Sequence, residues 1–262
     1  YEIGVRLVGS EMCIRDRPGE AQSRMLSQIA ETGVKVTQSK LLPYAYYLEQ
    51  VDHIDALPGY AQGSFFMQDI GSMQVVELAG IKPGDAVIDV CAAPGGKAMH
   101  ALAKLHGKGS VQARDLTENK VSMIEENIER CAGAADTIEV LVWDARILDP
   151  QALEKADVVI ADLPCSGLGV IGRKSDIKYR MTPEQVADIA ALQREILSVV
   201  WQYVKPGGIL MYSTCTLTKA ENQDNRDWFL ENSPFTLLEE KELLPSAETD
   251  GFYMIKCRRN KA

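Results

Sequence analysis

Apolar and polar positions along the chain follow two periods. Short apolar runs at residues 86–90, 110–113, 138–142, 157–161 and 209–212 read as buried strands. Helical stretches lie between or after them. One covers residues 96–105. A second starts at a Thr117 cap and aligns Val121, Ile124, Ile128 and Cys131 on one face. A third, of about 20 residues, starts at Thr182-Pro183, with Gln185 completing a capping-box pattern. A fourth covers residues 219–230. Residues 235–238 and 252–257 read as two closing strands. This alternation predicts a doubly wound, Rossmann-like α/β domain, with a parallel sheet covered on both faces. Ligands bind such sheets beyond the carboxyl ends of the strands.

Upstream, residues 18–33 read as a helix with Met25, Leu26 and Ile29 apolar and Gly33 as its stop. Residues 34–36 and 44–48 read as strands, and 52–57 as a helical turn ended by Pro58-Gly59. Together, residues 18–62 predict a small α+β lobe packed against a main domain at 63–262. Residues 65–68 read as a strand entering that domain, followed by a helix at 69–79. Residues 1–17 show no period and do not lead naturally into the helix at 18–33. They read as a truncated or foreign leader outside the fold.

Composition narrows the class. The chain has 262 residues, 46% hydrophobic and 25% charged, enough for one or two well-filled domains. No apolar run approaches the ~18 residues of a membrane span, and the N-terminus lacks the order of a signal peptide. Six cysteines without Cys-x-x-Cys spacing, and only three histidines, argue against zinc and for reduced thiols in a cytosolic protein. The net charge of −9 excludes a uniformly basic nucleic-acid binder. Charge is local, however: Arg173, Lys174, Lys178 and Arg180 lie together with only Asp176 against them. Lys256, Arg258, Arg259 and Lys261 at the C-terminus read as a solvated face.

The candidate chemistry sits at strand ends. Asp89-Val90-Cys91-Ala92-Ala93-Pro94-Gly95-Gly96-Lys97 carries a strand through a glycine turn into a helix N-terminus, the junction that binds cofactors in such folds. It lacks both the dinucleotide fingerprint and the P-loop pattern. Asp89, Asp115, Asp144, Asp162 and Cys215 recur at successive strand ends. Asp115, about 20 positions after the turn, suits two ribose hydroxyls. Asp144 suits an exocyclic adenine amine. Ribose and adenine in that order imply NAD or S-adenosylmethionine, and the glycine pattern disfavours NAD. Asp162-Leu163-Pro164-Cys165-Ser166-Gly167 opens a connection of about 20 residues, a length typical of functional loops. Its Cys165 and the strand-end Cys215 reach one cleft if their strands are neighbours; otherwise each reads as an ordinary buried thiol.

Three segments carry a resemblance: residues 89–97, the run Asp162-Leu163-Pro164-Cys165-Ser166-Gly167-Leu168-Gly169-Val170-Ile171, and Ser213-Thr214-Cys215-Thr216. In this order they resemble the Nop/Sun family of RNA cytosine-5 methyltransferases, from about residue 18 onward. Arg173-Lys174-Ser175-Asp176-Ile177-Lys178-Tyr179 and Asp250-Gly251-Phe252 are most similar to its RsmB-like branch, which acts on 16S rRNA. The resemblance implies a class I S-adenosylmethionine-dependent methyltransferase domain behind a small α+β RNA-binding lobe. It further implies that Cys91, Ala92, Ala93, Pro94, Gly95, Gly96 and Lys97 line the cofactor site, with Asp115 on the ribose and Asp144 on the adenine. Asp162 is then near the methionyl group and the target base, Cys215 is the nucleophile, and Cys165 assists product release. Lys97 orients the base or is a solvated lysine at a helix start.

The implied partner is RNA, without metal or membrane, bound by a monomer. Ala98 replaces a threonine of many members. Gly172 and Ser175 replace the Arg and Pro of the branch. An upstream RNA-binding domain of the NusB type and the first lobe strand are expected to be missing, as in a truncated product. The competing readings are a DNA cytosine-5 methyltransferase, which the second thiol at Cys215 argues against, and a catalytically weak ribosome-assembly factor that binds cofactor and RNA.

Overall fold

The computed structural model describes residues 12–16, 20–132, 137–173, 175–246 and 249–261. The lobe contains β1 (Met12–Asp16), α1 (Glu20–Glu31), β2 (Lys35–Gln38), β3 (Ala45–Glu49) and β4 (Phe65–Met67). Its sheet has the order β2-β3-β1-β4, with every pair antiparallel. Met25 and Ile29 of α1 pack with Val34, Leu48, Leu57 and Phe65 beneath it.

Two expectations are corrected by this sheet. Residues 12–16 are not a leader outside the fold; β1 supplies the strand between β3 and β4, while residues 1–11 lie outside the described residues. The strand expected to enter the main domain, β4, instead closes the lobe sheet. Both errors have one cause: the backbone partners of these strands are remote in sequence, and neither segment alternates strongly enough to announce them.

The main domain continues with α2 (Ile70–Ala79), β5 (Ala86–Asp89), α3 (Gly96–Lys104), β6 (Ser110–Asp115), α4 (Glu118–Ala132), β7 (Ile138–Val142) and β8 (Ala156–Asp162). Next come α5 (Ile177–Arg180), α6 (Pro183–Val200), β9 (Val204–Thr214), α7 (Gln223–Asn232), β10 (Phe235–Leu243) and β11 (Phe252–Arg259). The seven-stranded sheet has the order β10-β11-β9-β8-β5-β6-β7. Strands β9, β8, β5, β6 and β7 are mutually parallel. At one edge the two closing strands, β11 and β10, join antiparallel to their neighbours. A short connection of 8 residues between β10 and β11 permits only that direction.

Alternation along each strand builds two cores. Val87, Val158, Ile160 and Met211 face α2 and α3, packing with Val75, Val76, Ala98 and Ala101. Ile88, Val159, Ala161, Leu210 and Tyr212 face the opposite side, with Ile196, Leu197 and Val200 of α6 and Phe229 of α7. Helix α6 begins as its sequence predicts. Thr182 Oγ1 accepts from the Gln185 amide at 3.3 Å, and Gln185 Oε1 accepts from the Thr182 amide at 2.9 Å. Helix α7 starts four residues later than its pattern suggests, because Glu221 and Asn222 are fully buried and bonded to loops.

Strand order reverses between β5 and β8, so the connections leaving their carboxyl ends diverge and open a crevice. The lobe closes one side of it. Arg130 of α4 donates to the carbonyls of Tyr60 at 3.1 Å and Phe65 at 3.4 Å, and stacks on the Tyr60 ring.

Candidate active site

The glycine turn leaves β5 at this crevice. Gly95 has φ +103°, a backbone conformation that favours glycine. A Cβ on Gly96 would stand 3.2 Å from the Phe66 ring, so the turn is shaped both to admit a ligand and to seat the lobe. The Ala93–Pro94 bond is cis. Asp89 precedes the turn and is 1% exposed, and neither carboxylate oxygen has a hydrogen-bond partner among the described residues. Burial, reinforced by the Asp162 charge and opposed by Lys97, pushes its pKa up to about 7. The sequence marked Asp89 only as one strand end among several. A buried carboxyl without a partner is a signal that three dimensions alone supply.

Asp115 ends β6 and is buried. It accepts from the Ala93 amide at 3.0 Å and the Leu116 amide at 2.8 Å, with Lys120 Nζ at 2.9 Å. It therefore ties the turn after β5 to the end of β6. Asp144 stands apart, after β7. Its carboxylate accepts from both the amide and the guanidinium of Arg146, at 2.7–3.2 Å, and these bonds hold its pKa below the usual carboxylate range.

The structure brings together Lys97, Asp162, Cys165 and Cys215. Strands β8 and β9 are adjacent and parallel, with Asp162 in register with Ser213. The Cys165 and Cys215 sulfurs consequently stand 3.0 Å apart, and the Cys215 amide donates to Cys165 Sγ at 3.2 Å. Lys97 Nζ donates to Asp162 Oδ2 at 2.5 Å and to Ser72 Oγ at 2.9 Å, while Ser213 Oγ donates to Asp162 Oδ1 at 2.7 Å. Lys97 is buried, which corrects its reading as a solvated lysine. Burial disfavours its ammonium, yet the Asp162 carboxylate, aided by Asp89, holds its pKa above the ordinary lysine value.

The thiols are electrostatically distinct. The hydrogen bond from Cys165 draws Cys215 below the ordinary thiol pKa, and Lys97 adds to this against burial and the Asp162 charge. The same hydrogen bond, together with burial, pushes Cys165 well above it. Burial and the charges of Asp115, Asp89 and Asp162 push Cys91 far up as well. The two thiols are thus shifted in opposite directions, Cys215 toward the thiolate and Cys165 toward the thiol, beside the Lys97–Asp162 ion pair.

The loop from β8 to α6 is fastened over this pair. The Gly169 amide donates to the Cys215 carbonyl at 3.0 Å, and the Gly251 amide donates to the Gly169 carbonyl at 2.9 Å. Arg173 bridges Asp69 at 3.4 Å and Asp250 at 3.1 Å. The basic cluster read from the sequence is therefore corrected: Arg173 is held by two carboxylates remote in sequence, and Arg180 pairs with Asp176 at 3.5 Å. Lys174 lies outside the described residues. At the C-terminus, Arg259 is tied to Glu154 at 2.7 Å rather than fully solvated.

Among the described residues, no helix is long and apolar enough to cross a membrane, and no group of three or more His, Cys, Asp or Glu is placed to hold a metal ion.

Residues 76–257 match the family model described as 16S rRNA methyltransferase RsmB/F. Ribosomal RNA small subunit methyltransferase B of Cronobacter sakazakii is 34% identical over 251 residues, 92% of this chain and 58% of that protein. The protein of the same name from Vibrio cholerae is 35% identical over 236 residues, 86% of this chain and 53% of that protein. The chain thus spans little more than half the length of these relatives. Among solved structures, NSun6 from Pyrococcus horikoshii superposes with a TM-score of 0.85 at 20% identity, covering 96% of this chain and 91% of that one. A methyltransferase homologue from the same organism gives 0.81 at 24% identity, covering 95% and 86%.

Proposed function

The chain belongs to the 16S rRNA methyltransferase RsmB/F family, and on that premise we propose that it transfers a methyl group from S-adenosylmethionine to C5 of a cytosine in RNA, with 16S rRNA as the substrate. The observation that carries this proposal is the thiol pair, 3.0 Å apart, beside the Lys97–Asp162 ion pair.

The residues fit the cofactor. The partnerless Asp89 carboxyl suits a cationic group, and the Gly95-Gly96 turn gives a close backbone approach. Cys91 through Lys97, Asp115, Asp144 and Asp162 would hold it, with Asp115 on the ribose and Asp144 at the adenine edge. When bound, S-adenosylmethionine supplies an electrophilic methyl group.

The chain's own residues address the poor nucleophilicity of cytosine C5. The Cys215 thiolate adds to C6, and the electron pair of the C5–C6 double bond becomes available at C5 for the methyl group. A proton shared within the Lys97–Asp162 pair stabilises the charge arising on the ring. Once C5 is methylated, loss of its proton re-forms the double bond and expels Cys215 as thiolate. While Cys215 is ionised, its charge keeps the proton on Cys165. When Cys215 is bonded to carbon that charge is gone, so Cys165 can release its own proton to water and, as the thiolate, accept the C5 proton, directly or through water. The target base must leave any stack, which costs a few kcal/mol and least in looped RNA. The small lobe beside the crevice contributes to the RNA-facing surface. A factor that only bound cofactor and RNA would not require two thiols tuned in opposite directions.

The test traps the adduct. Cys165→Ala, incubated with S-adenosylmethionine and unmodified 16S rRNA, should give a retarded protein–RNA band on a denaturing gel. Adding Cys215→Ala should remove it. Absence of the band from Cys165→Ala, where the parent turns over, would overturn the assignment of roles.

A further inference from the structure

Glu221 is a fully buried carboxylate that the chemistry above does not use. It lies before α7, where the sequence pattern reads as an ordinary helix start. Four donors converge on it. Oε2 accepts from the Ser166 amide at 2.9 Å and Gln193 Nε2 at 3.1 Å. Oε1 accepts from Ser166 Oγ at 2.5 Å and Thr218 Oγ1 at 2.7 Å. The described ion pairs include none to Glu221, so the carboxyl is held by hydrogen bonds alone, an arrangement that persists only when every partner is in place.

The position of those partners is the informative part. Ser166 follows Cys165, and Thr216 follows Cys215. Their hydroxyl oxygens are 2.8 Å apart, directly behind the 3.0 Å contact between the thiols. Glu221 backs this bridge from Oε1, while its own backbone carbonyl accepts from the Tyr212 hydroxyl of β9. The Tyr212 hydroxyl also lies 3.0 Å from Gln193 Oε1, and Gln193 Nε2 donates to the Pro164 carbonyl at 2.8 Å, one residue before Cys165. Both loops that carry a thiol are therefore pinned to one buried carboxylate.

We propose that Glu221, acting through Ser166, is a positioning residue that sets the distance and direction of the Cys165–Cys215 hydrogen bond and so keeps Cys215 reactive. The proposal rests on Cys165 and Cys215 being the reacting pair, and it assigns Glu221 no contact with RNA or cofactor. The groups facing Cys215 directly are Cys165, Asp162 and Lys97.

The sign of one measurement separates positioning from charge. Glu221→Gln keeps the shape but puts an amide donor where Oε1 accepts, so the Ser166 and Thr218 hydroxyls lose that acceptor and must turn, which loosens the bridge. If Glu221 acted on Cys215 only as a nearby charge, its neutralisation would lower the Cys215 pKa. If it acts by holding Cys165 in place, loosening the loop raises it, because the thiol hydrogen bond is what lowers it. Peptide-resolved iodoacetamide alkylation of the full chain, measured by mass spectrometry across pH, reads the Cys215 midpoint and needs neither RNA nor cofactor. A failure of methyl transfer therefore leaves this test intact.

Glu221→Gln should move the midpoint up by about half a pH unit or more. In the Cys165→Ala background the same substitution should give no upward shift. Ser166→Ala, which removes the hydroxyl bridge and keeps the carboxylate, should also move the midpoint up, and it carries the test if Glu221→Gln does not fold. An unchanged or lowered midpoint overturns the proposal, as does an upward shift that persists without Cys165.

Discussion

Asp162 and Ser213 face one another in register across β8 and β9, and their side chains are joined at 2.7 Å. This pairing organises the crevice. Two parallel strands that end together release their chains side by side, so the residue three beyond Asp162 meets the residue two beyond Ser213. Those residues are Cys165 and Cys215. The same carboxylate takes Lys97 on its other oxygen, which brings the helix after the glycine turn to the thiols. A sheet register thus assembles an anion, a cation and two thiols from three strand ends.

The two aspartates assigned to the nucleoside should respond unequally to substitution. Asp115 is buried and accepts from the Ala93 amide of the turn, whereas Asp144 is bound on both oxygens by Arg146. Hydrogen bonds to a charged group contribute about 1.5–3 kcal/mol each, so Asp115→Ala should weaken S-adenosylmethionine binding by roughly 30-fold or more in calorimetry. Asp144→Ala should weaken it by less than about fivefold, since its side chain is 21% exposed against 3% for Asp115 and water can replace part of what it offers. The reverse ranking would show that the adenine edge, not the ribose, anchors the cofactor.

Gly169 should be intolerant of a single methyl group. A Cβ there would lie 2.2 Å from the Gly251 carbonyl oxygen and 2.8 Å from the Cys215 carbonyl oxygen, both backbone atoms that cannot turn aside. Overpacking of this kind costs about 1–3 kcal/mol. Gly169→Ala should therefore lower the melting temperature and displace Cys215, with methyl transfer falling by more than the loss of folded protein. Gly172, three residues on, has nothing within 4 Å of its Cβ position, and Gly172→Ala should match the parent in both measurements. Equal behaviour of the two variants would mean that the loop is not fastened to Cys215.

Most of the central sheet was legible in the sequence because buried parallel strands are short apolar runs, and Val87 to Asp89 or Val158 to Ala161 read as nothing else. The thiol pair was legible as two strand ends, although its contact depended on a register that no local pattern contains. Strand β1 was hidden because its pairing with Tyr47 and Phe66 is long-range and its own five residues include Arg15 and Asp16. Strand β9 ran further than expected, through Pro206-Gly207-Gly208, because the register shift between Ala156 and Val158 absorbs residues that normally end a strand. Glu221, Gln193 and Asn225 were missed for a related reason: polar residues on a helical pattern read as solvent-facing, and only the fold reveals that they are buried and bonded to one another.

The buried carboxyl of Asp89 should leave a signature in stability against pH. Its pKa stands at about 7 in the fold, against 3.8 ordinarily, chiefly because burial disfavours the charge. The folded state therefore holds this proton more tightly than the unfolded state. Its contribution is fully favourable below the ordinary carboxylate pKa and is lost progressively as pH rises from about 4 to about 7. Above that range, the free protein carries a destabilisation on the order of 4 kcal/mol from this one group. Asp89→Asn has nearly the same shape and does not titrate. Its melting temperature should exceed that of the parent at pH 8, and the difference should shrink toward pH 5. A difference that stays constant across this range would show that Asp89 keeps one protonation state throughout. Cofactor should narrow that difference. A cationic ligand beside Asp89 compensates the buried charge, so saturating S-adenosylmethionine at pH 8 should raise the melting temperature of the parent more than that of Asp89→Asn. Equal increments would remove Asp89 from the cofactor site while leaving its titration in place.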